Sequence, residues 1–184
     1  MEAILWVVGV GVVGLIVWFI VWHTRKTNAK YAELWGRIAG LVNGTSKGSQ
    51  MIGTYMGAMV EARIKSFSDD DETTYYYELS LTPGGRGQDW SVNYGGEKLL
   101  GFGEKRWHVK AKDDALKDRL VAARVVELVA VRPQHSNVSY KAKRGVLVYH
   151  ETLRSGFDVP APEEFKAQLE LLGRLAEVNR QVNI

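Results

Sequence analysis

The chain begins with an apolar run and continues with mixed patterns of apolar and polar positions. The run from residue 3 to residue 22 is 20 residues long and contains no charged, amide or hydroxyl side chain. A helix of about 20 residues spans ~30 Å, which is the thickness of the hydrocarbon core of a bilayer. The pattern therefore predicts a transmembrane anchor, which we assign to residues 1–24.

A helical spacing of apolar residues continues after the anchor. The positions that recur at this spacing are Tyr31, Leu34, Trp35, Ile38, Leu41 and Val42. They predict an amphipathic helix that ends at about residue 42, where Asn43 and Gly44 are typical of a helix stop. The residues from Gly44 to Gln50 are small or polar and predict a linker. We assign residues 25–50 to a juxtamembrane helix and linker.

The remaining segment, residues 51–184, alternates in the manner of strands and then contains two helical patterns. The predicted strands are Met51 to Phe67 with a turn at Gly57, Thr73 to Thr82, Asp89 to Tyr94, Lys105 to Ala111, Val138 to Lys143 and Val146 to Glu151. One predicted helix runs from Asp113 to about Val131, and another follows Pro160 and Pro162. The apolar stripe of the last helix is Phe165, Leu169, Leu172 and Ala176.

This order of elements predicts an α+β fold. One N-terminal transmembrane helix is followed by a mainly antiparallel sheet, which two or three helices cover on one side. Residues 51–184 are expected to form the cytoplasmic α+β domain of the chain.

The charges that flank the anchor predict its orientation. Arg25, Lys26 and Lys30 follow the apolar run, whereas Glu2 is the charged side chain that precedes it. The positive-inside rule then places the N-terminus outside and the large domain in the cytoplasm. Trp6 near one end of the run and Trp18 and Trp22 near the other are expected, with Arg25 and Lys26, to lie at the membrane interfaces. A cleaved signal peptide is the rival interpretation, but a signal peptide has a basic N-terminal region and a shorter apolar core.

Three glycines lie within the apolar run, at Gly9, Gly11 and Gly14. Their spacing matches the letters of the dinucleotide fingerprint G-x-G-x-x-G, but that motif requires a preceding strand and a βαβ unit in water. Small residues on a membrane helix instead allow another helix to approach closely. The alternative is that the glycines only face lipid, and the sequence does not decide between the two.

Composition and charge exclude several classes of function. The 184 residues include no cysteine, so disulfides, thiolate metal sites and cysteine nucleophiles are excluded. The 24 lysine and arginine residues exceed the 21 acidic residues by a net charge of +3. This excess is too small to indicate a nucleic-acid partner.

The candidate catalytic and metal-binding groups lack the required spacing. His108, His135 and His150 do not form an H-E-x-x-H pattern or an i,i+4 pair. The acidic run from Asp69 to Glu72 lacks the spaced ligands of a calcium loop, and we expect it to be a hairpin loop. The glycine-rich segments at 84–87 and 95–98 lack the G-K-S/T of a phosphate loop. We therefore predict no catalytic residue, no metal and no cofactor.

A resemblance to a family rests on two motifs. The first is Gly53-Thr54-Tyr55-Met56-Gly57-Ala58-Met59-Val60, and the second is Trp107-His108-Val109-Lys110-Ala111-Lys112-Asp113. Together with a β-rich stretch, a hairpin and a leucine-rich final helix, they resemble uncharacterised bacterial single-pass membrane-anchored domains with a G-x-Y-x-G-x-x-V opening strand. The resemblance covers about residues 50 to 180. It implies an anchored, cytoplasm-facing domain and brings no catalytic residue with it.

Two functions from different classes follow from these patterns. The first is a non-catalytic accessory subunit that docks on a larger bacterial membrane complex, with integral membrane subunits and the lipid bilayer as its partners. Photosynthetic and respiratory complexes are hosts of this kind, although no residue selects one. Trp35 and Trp107 are the expected partner contacts, because large aromatic residues carry much interface energy. The alternative is a membrane-tethered hydrolase that uses His108, His150 and nearby acids.

Overall fold

The computed structural model describes residues 2–69, 72–85, 87–95 and 105–182, and for residues 2–12 it describes the backbone alone. The described residues form four α-helices and eight strands. In chain order these are α1 (Glu2–Ala39), β1 (Thr45–Lys47), β2 (Gln50–Tyr55), β3 (Ala58–Asp69), β4 (Glu72–Thr82), β5 (Trp90–Gly95), β6 (Arg106–Ala111), α2 (Asp114–Ala122), α3 (Val125–Ala130), β7 (Ser136–Lys141), β8 (Val146–Leu153) and α4 (Pro162–Val182). Short 3₁₀ turns follow α1 at Gly40–Val42 and β7 at Ala142–Arg144.

The strands form one sheet in the order β1-β2-β3-β4-β8-β7-β5-β6. All the strand pairs of the described residues are antiparallel. This architecture confirms the predicted α+β class and the antiparallel sheet. The hairpin β7-β8 is inserted between β4 and β5, so strands that are distant in the chain lie side by side.

One face of the sheet carries the core. A row of register neighbours crosses the sheet at Met51, Ala62, Leu79, Tyr149, Val138, Val92 and Val109. Each of these side chains is buried, because alternate residues of a strand point to the same face and helices pack there. The buried stripe of α4 includes the four residues of the predicted stripe, which is therefore confirmed.

The end of α1 belongs to the same core. Trp35, Ile38 and Val42 are fully buried within the core cluster, and the predicted helix is confirmed, with a 3₁₀ turn as its end. The interpretation of residues 44–50 as a linker is wrong, because this segment contains β1, which pairs with β2. Asn43 adopts a left-handed conformation that ends the helix, and Gly48 at φ +56 turns the chain from β1 into β2.

The helix predicted from Asp113 to Val131 is divided into two. The Asp113 carboxylate caps α2 by accepting a hydrogen bond of 2.7 Å from the Leu116 backbone N–H. Arg124, at φ +58, then separates α2 from α3. Leu120 and Val125 are both fully buried, yet residues five apart on one continuous helix would point about 140° apart. The break allows both side chains to face the core.

Helix α1 continues without interruption through the apolar run and into the domain. Its side chains from Val13 to Trp22 are exposed. Among the residues whose side chains the structure describes, no helix has an apolar stretch long enough to cross a membrane.

Candidate functional site

The second face of the sheet is polar. Its central row contains Gln50, Arg63, Glu78, His150, Asn137, Asn93 and His108, which are neighbours in the strand register. All of these side chains are half-buried, in contrast to the buried row on the opposite face. The sheet therefore presents a polar surface that is suited to contact with another molecule.

A depression of about 550 Å³ lies on this polar face. We call it the basic groove, and its lining residues are Arg63, Lys65, Glu78, Asp89, Asn137, Ser139, Lys141, Lys143, Arg144, Val148 and His150. Five of these side chains are lysine or arginine and two are carboxylates. The groove has an excess of positive charge.

An ion-pair network occupies one side of the groove. The Lys65 Nζ atom donates a 2.8 Å hydrogen bond to Glu78 Oε2, and the Arg63 guanidinium donates to Glu78 Oε1. Burial alone would raise the pKa of Glu78, but the hydrogen bonds and positive charges of these two residues outweigh it and lower the pKa. The Glu78 carboxylate is therefore ionised and already engaged by its neighbours.

His150 lies beside this network on β8. Its register partner across β4 is Glu78, its ring centroid lies 5.0 Å from that of Tyr76, and Asn137 Nδ2 lies 3.4 Å from its Nδ1. Burial lowers the pKa of His150, an effect that the Lys65 charge reinforces and the Glu78 charge opposes. The imidazole is therefore neutral at pH 7, and one of its ring nitrogens can donate a hydrogen bond while the other accepts one.

The rim of the groove is formed by the 3₁₀ turn after β7. Lys141, Lys143 and Arg144 are exposed there. The Asp89 carboxylate accepts a 2.6 Å hydrogen bond from the Ala142 backbone N–H and so secures the turn. Gly145, at φ +59, returns the chain into β8. Both carboxylates of the groove thus have partners within the protein, whereas the three rim cations project into solvent.

The histidines do not form one centre. His150 and His108 share a face, but β7 and β5 lie between their strands, and a separation of three strands corresponds to about 14 Å. His135 lies elsewhere, with its Nε2 atom 3.1 Å from Glu151 Oε1. In the part of the chain that the structure describes, no three His, Cys, Asp or Glu side chains are grouped to hold a metal ion.

A second pocket, of about 350 Å³, lies where β8 meets the start of α4. The Tyr149 hydroxyl donates a hydrogen bond to the Glu151 carboxylate there. Burial, together with that hydrogen bond and the Glu151 charge, raises the pKa of Tyr149. Glu151 therefore accepts hydrogen bonds from Tyr149 and His135 and has the role of a structural acceptor.

The two tryptophans that the sequence predicts as partner contacts differ in burial. Trp35 is fully buried in the core, so its assignment as a partner contact is wrong. A helical pattern does not distinguish burial within the chain from burial in a complex. Trp107 is half-buried and packs edge-on against Tyr94 at a centroid distance of 5.6 Å, and its contact with a partner stays a prediction.

The predicted membrane-interface residues lie along α1. Trp18 and Trp22 are exposed and stack with ring centroids 6.3 Å apart, and the Lys26 ammonium lies 5.3 Å from the centroid of the Trp22 ring. Arg25 is exposed. The side chain of Trp6 lies outside the described part of the structure.

Of the three glycines predicted to pack against a partner, Gly14 has open space where a Cβ atom would lie. Gly9 and Gly11 belong to the part of α1 that is described by its backbone alone.

Parts of the predicted hairpin loops also lie outside the described residues. These are Asp70 and Asp71 of the acidic run, Arg86 of the first glycine-rich segment and residues 96–98 of the second. Asp69 and Glu72, which flank the acidic tip, are register partners on β3 and β4, so the two strands on either side of the expected loop do pair.

Sequence reasoning missed the basic groove. A signal for it is present in the alternation of Arg63 and Lys65 on β3, which places both cations on the polar face. The contribution of β7 and β8 depends on their insertion beside β4, and local patterns do not show this.

Comparison of the chain with protein-family models, with curated proteins and with solved structures gave no match.

Proposed function

We propose that this protein is a non-catalytic, single-pass accessory subunit that docks on a larger bacterial membrane complex. In this proposal the apolar first part of α1 crosses the inner membrane with its N-terminus outside. The α+β domain then covers a cytoplasmic face of the partner.

The observation that carries the proposal is the continuity of α1. One helix of 38 residues joins the apolar run to the core of the domain. Trp18 on this helix is 63% exposed, whereas Trp35 is 0% exposed. Large apolar patches exposed to water are uncommon on monomeric proteins and indicate contact with a membrane or a partner.

Contacts after β8 support a fixed angle between the anchor and the domain. The Tyr31 hydroxyl donates a 2.6 Å hydrogen bond to the Gly156 carbonyl, and the Lys30 ammonium lies 3.8 Å from the centroid of the Phe157 ring. An anchor that is held in this way orients the domain relative to the membrane surface. Such an orientation suits a subunit that has to meet one face of a partner.

The membrane topology can be tested by proteolysis of sealed membranes. In intact cells, protease added outside is expected to spare the domain, and in inverted inner-membrane vesicles it is expected to digest it. The positive-inside rule predicts this result from Arg25 and Lys26. Digestion in intact cells would reverse the assignment, and release of the chain by carbonate or high salt would contradict the anchor.

Docking in the membrane can be tested at the glycines of the run. Gly9, Gly11 and Gly14 are each replaced by leucine, with Val10→Leu as a control in the same helix. If a partner helix packs there, the added bulk is expected to cost about 1 to 3 kcal/mol of association, while insertion is retained. The measurement is the amount of chain that migrates with a membrane complex in mild detergent. Unchanged migration of all variants would mean that the glycines face lipid.

A further inference from the structure

We propose that the basic groove binds a short, extended and acidic segment of a partner protein. The inference deepens the proposed function and rests on it for the identity of the partner, since a docked subunit requires a protein contact outside the lipid. The residues that line the groove all belong to the part of the chain that the structure describes, so the groove itself does not depend on the proposed function.

Charge complementarity identifies the class of ligand. The two carboxylates of the groove are already engaged, Glu78 by Arg63 and Lys65 and Asp89 by the Ala142 N–H. The remaining charge is the positive charge at the rim. An acidic ligand is the complement of this surface, and a basic ligand would be repelled by it.

The floor of the groove provides neutral hydrogen-bonding groups. Asn137 and Ser139 line it on β7, and Ser139 is 9% exposed. Amide and hydroxyl groups can donate to carboxylate or peptide oxygens and accept from peptide N–H groups. A volume of about 550 Å³ lies within the usual range for a bound molecule of drug size, which corresponds to a few residues of an extended chain.

The position of the rim turn favours a protein over a lipid headgroup as the ligand of its three cations. Gly156, which contacts α1 at Tyr31, follows the end of β8, whereas the rim turn Ala142–Arg144 precedes its start. A strand of this length spans about 23 Å. Because the electrostatic screening length is ~8 Å at physiological salt, the charge of a lipid surface near Tyr31 would be screened at the rim.

Binding can be measured with the full-length protein in detergent micelles. The probe is a fluorescein-labelled peptide of about six alternating aspartate and glutamate residues, and the control peptide has asparagine and glutamine at the same positions. We expect the acidic peptide to raise fluorescence anisotropy in a saturable manner, and we expect weaker binding as salt increases. Equal binding of the two peptides would overturn the proposal.

A matched pair of variants separates the groove from overall charge. Lys141→Gln, Lys143→Gln and Arg144→Gln are combined in one protein, and Lys112→Gln, Lys117→Gln and Lys166→Gln in the control. The control residues are also exposed and do not line the groove. Loss of the rim charges is expected to weaken peptide binding on the order of tenfold, and the control by less than about twofold. Equal losses in the two proteins would show an effect of net charge and overturn the proposal.

Two competitors distinguish other anionic ligands. Inorganic phosphate, or phosphatidylglycerol in mixed micelles with the same detergent, is added at the same total negative charge as the peptide. If either displaces the peptide at that concentration, the groove is a general anion site or a lipid site, and the proposal is wrong.

If the peptide does not bind but the chain still co-migrates with a membrane complex, this inference alone is wrong. If the wild-type chain does not co-migrate with a membrane complex, or if its topology is the reverse of the one proposed, the proposed function is wrong.

Discussion

The hydroxyl of Tyr31 on α1 and the carbonyl of Gly156 after β8 are joined by a 2.6 Å hydrogen bond across 125 residues of sequence. Gly156 also lies so close to Tyr75 that a Cβ atom at this position would be 2.7 Å from the Tyr75 ring. The segment after β8 is thus fitted between α1 and the sheet. This contact joins the part of α1 that follows the proposed anchor to the domain.

Replacing Tyr31 by phenylalanine removes this hydrogen bond and retains the ring. We expect the free energy of unfolding to fall by about 0.5 to 1.5 kcal/mol, which is typical for one hydrogen bond. Denaturant titration of the full chain in detergent, followed by tryptophan fluorescence, measures the change. Tyr76→Phe is the control, because Tyr76 is also half-buried and its contact with His150 is a ring contact, with 5.0 Å between the centroids, which phenylalanine retains. An equal effect in both variants would contradict the role of the Gly156 contact.

The two tryptophans on opposite halves of α1 give a second prediction. Trp35→Ala is expected to lower the free energy of unfolding by about 3 to 5 kcal/mol, because the side chain is fully buried. Trp18→Ala, on the same helix, is expected to leave the stability of the domain nearly unchanged, because Trp18 is exposed. Denaturant midpoints of the two variants provide the comparison. A large loss in Trp18→Ala would mean that the first half of α1 packs against the domain.

The first glycine of the G-x-Y-x-G motif has a physical explanation in the structure. A Cβ atom at Gly53 would lie 2.4 Å from the Val42 carbonyl oxygen and 2.9 Å from the Gly44 Cα atom. The backbone after α1 therefore packs directly on β2, and a side chain does not fit. Gly57, the second glycine of the motif, has φ +80 and open space around it, so its requirement is conformational and not steric.

Gly53→Ala is accordingly expected to destabilise the protein by about 1 to 3 kcal/mol, the usual cost of overpacking. Gly36→Ala is the control, since Gly36 lies within α1 and a Cβ atom added there would have nothing within 4 Å. Alanine in a helix interior is favoured over glycine by ~1 kcal/mol, so the control is expected to be stabilised. Thermal unfolding midpoints measure the two effects, and a stabilised Gly53→Ala protein would contradict the close packing of β2.

The sequence predicts the local elements well, and it does not predict how they are brought together. The ends of β4 and β6 lie within about a residue of their predicted positions, because alternation and flanking turns are local signals. The strand β1 was missed, since its three residues are defined by pairing with β2. The groove was missed for the same reason. Glu78 and His150 face each other only through the non-local pairing of β4 with β8.

The lowered pKa of His150 predicts a dependence of stability on pH. The pKa in the folded state lies below the ordinary value of 6.5, so at pH values between the two the unfolded chain binds more protons. The contribution of His150 to the free energy of unfolding is then fully present above pH ~6.5, and it is lost as the pH falls through the lowered pKa of the folded state. Denaturant titrations between pH 7.5 and about pH 5 are expected to show this decline.

His150→Gln is expected to remove part of that acid destabilisation, because glutamine does not titrate in this range. His108→Gln is the matched control on the same face of the sheet, and it is expected to retain the decline because His150 is still present. Identical pH profiles for the wild-type protein and His150→Gln would show that other groups are responsible.

The ion pairs of Glu78 give the last prediction. Glu78→Gln removes a carboxylate from the basic groove and releases the positive charges of Arg63 and Lys65. Affinity for the acidic peptide is therefore expected to rise, by about two- to fivefold, because a like charge is removed from the contact. The free energy of unfolding is expected to fall, because Glu78 is only 14% exposed. A hydrogen bond to a charged group contributes up to about 3 kcal/mol.

The opposite signs of these two effects make the variant informative. A protein that is merely less well folded would bind the peptide less tightly, whereas removal of a competing carboxylate strengthens binding despite the loss of stability. Glu170→Gln on the exposed face of α4 is the control, and it is expected to change neither quantity by more than about 0.5 kcal/mol. Anisotropy titrations and denaturant unfolding are measured on the same preparations. Unchanged or weaker peptide binding by a folded Glu78→Gln protein would mean that acidic ligands do not use the Arg63 and Lys65 charges.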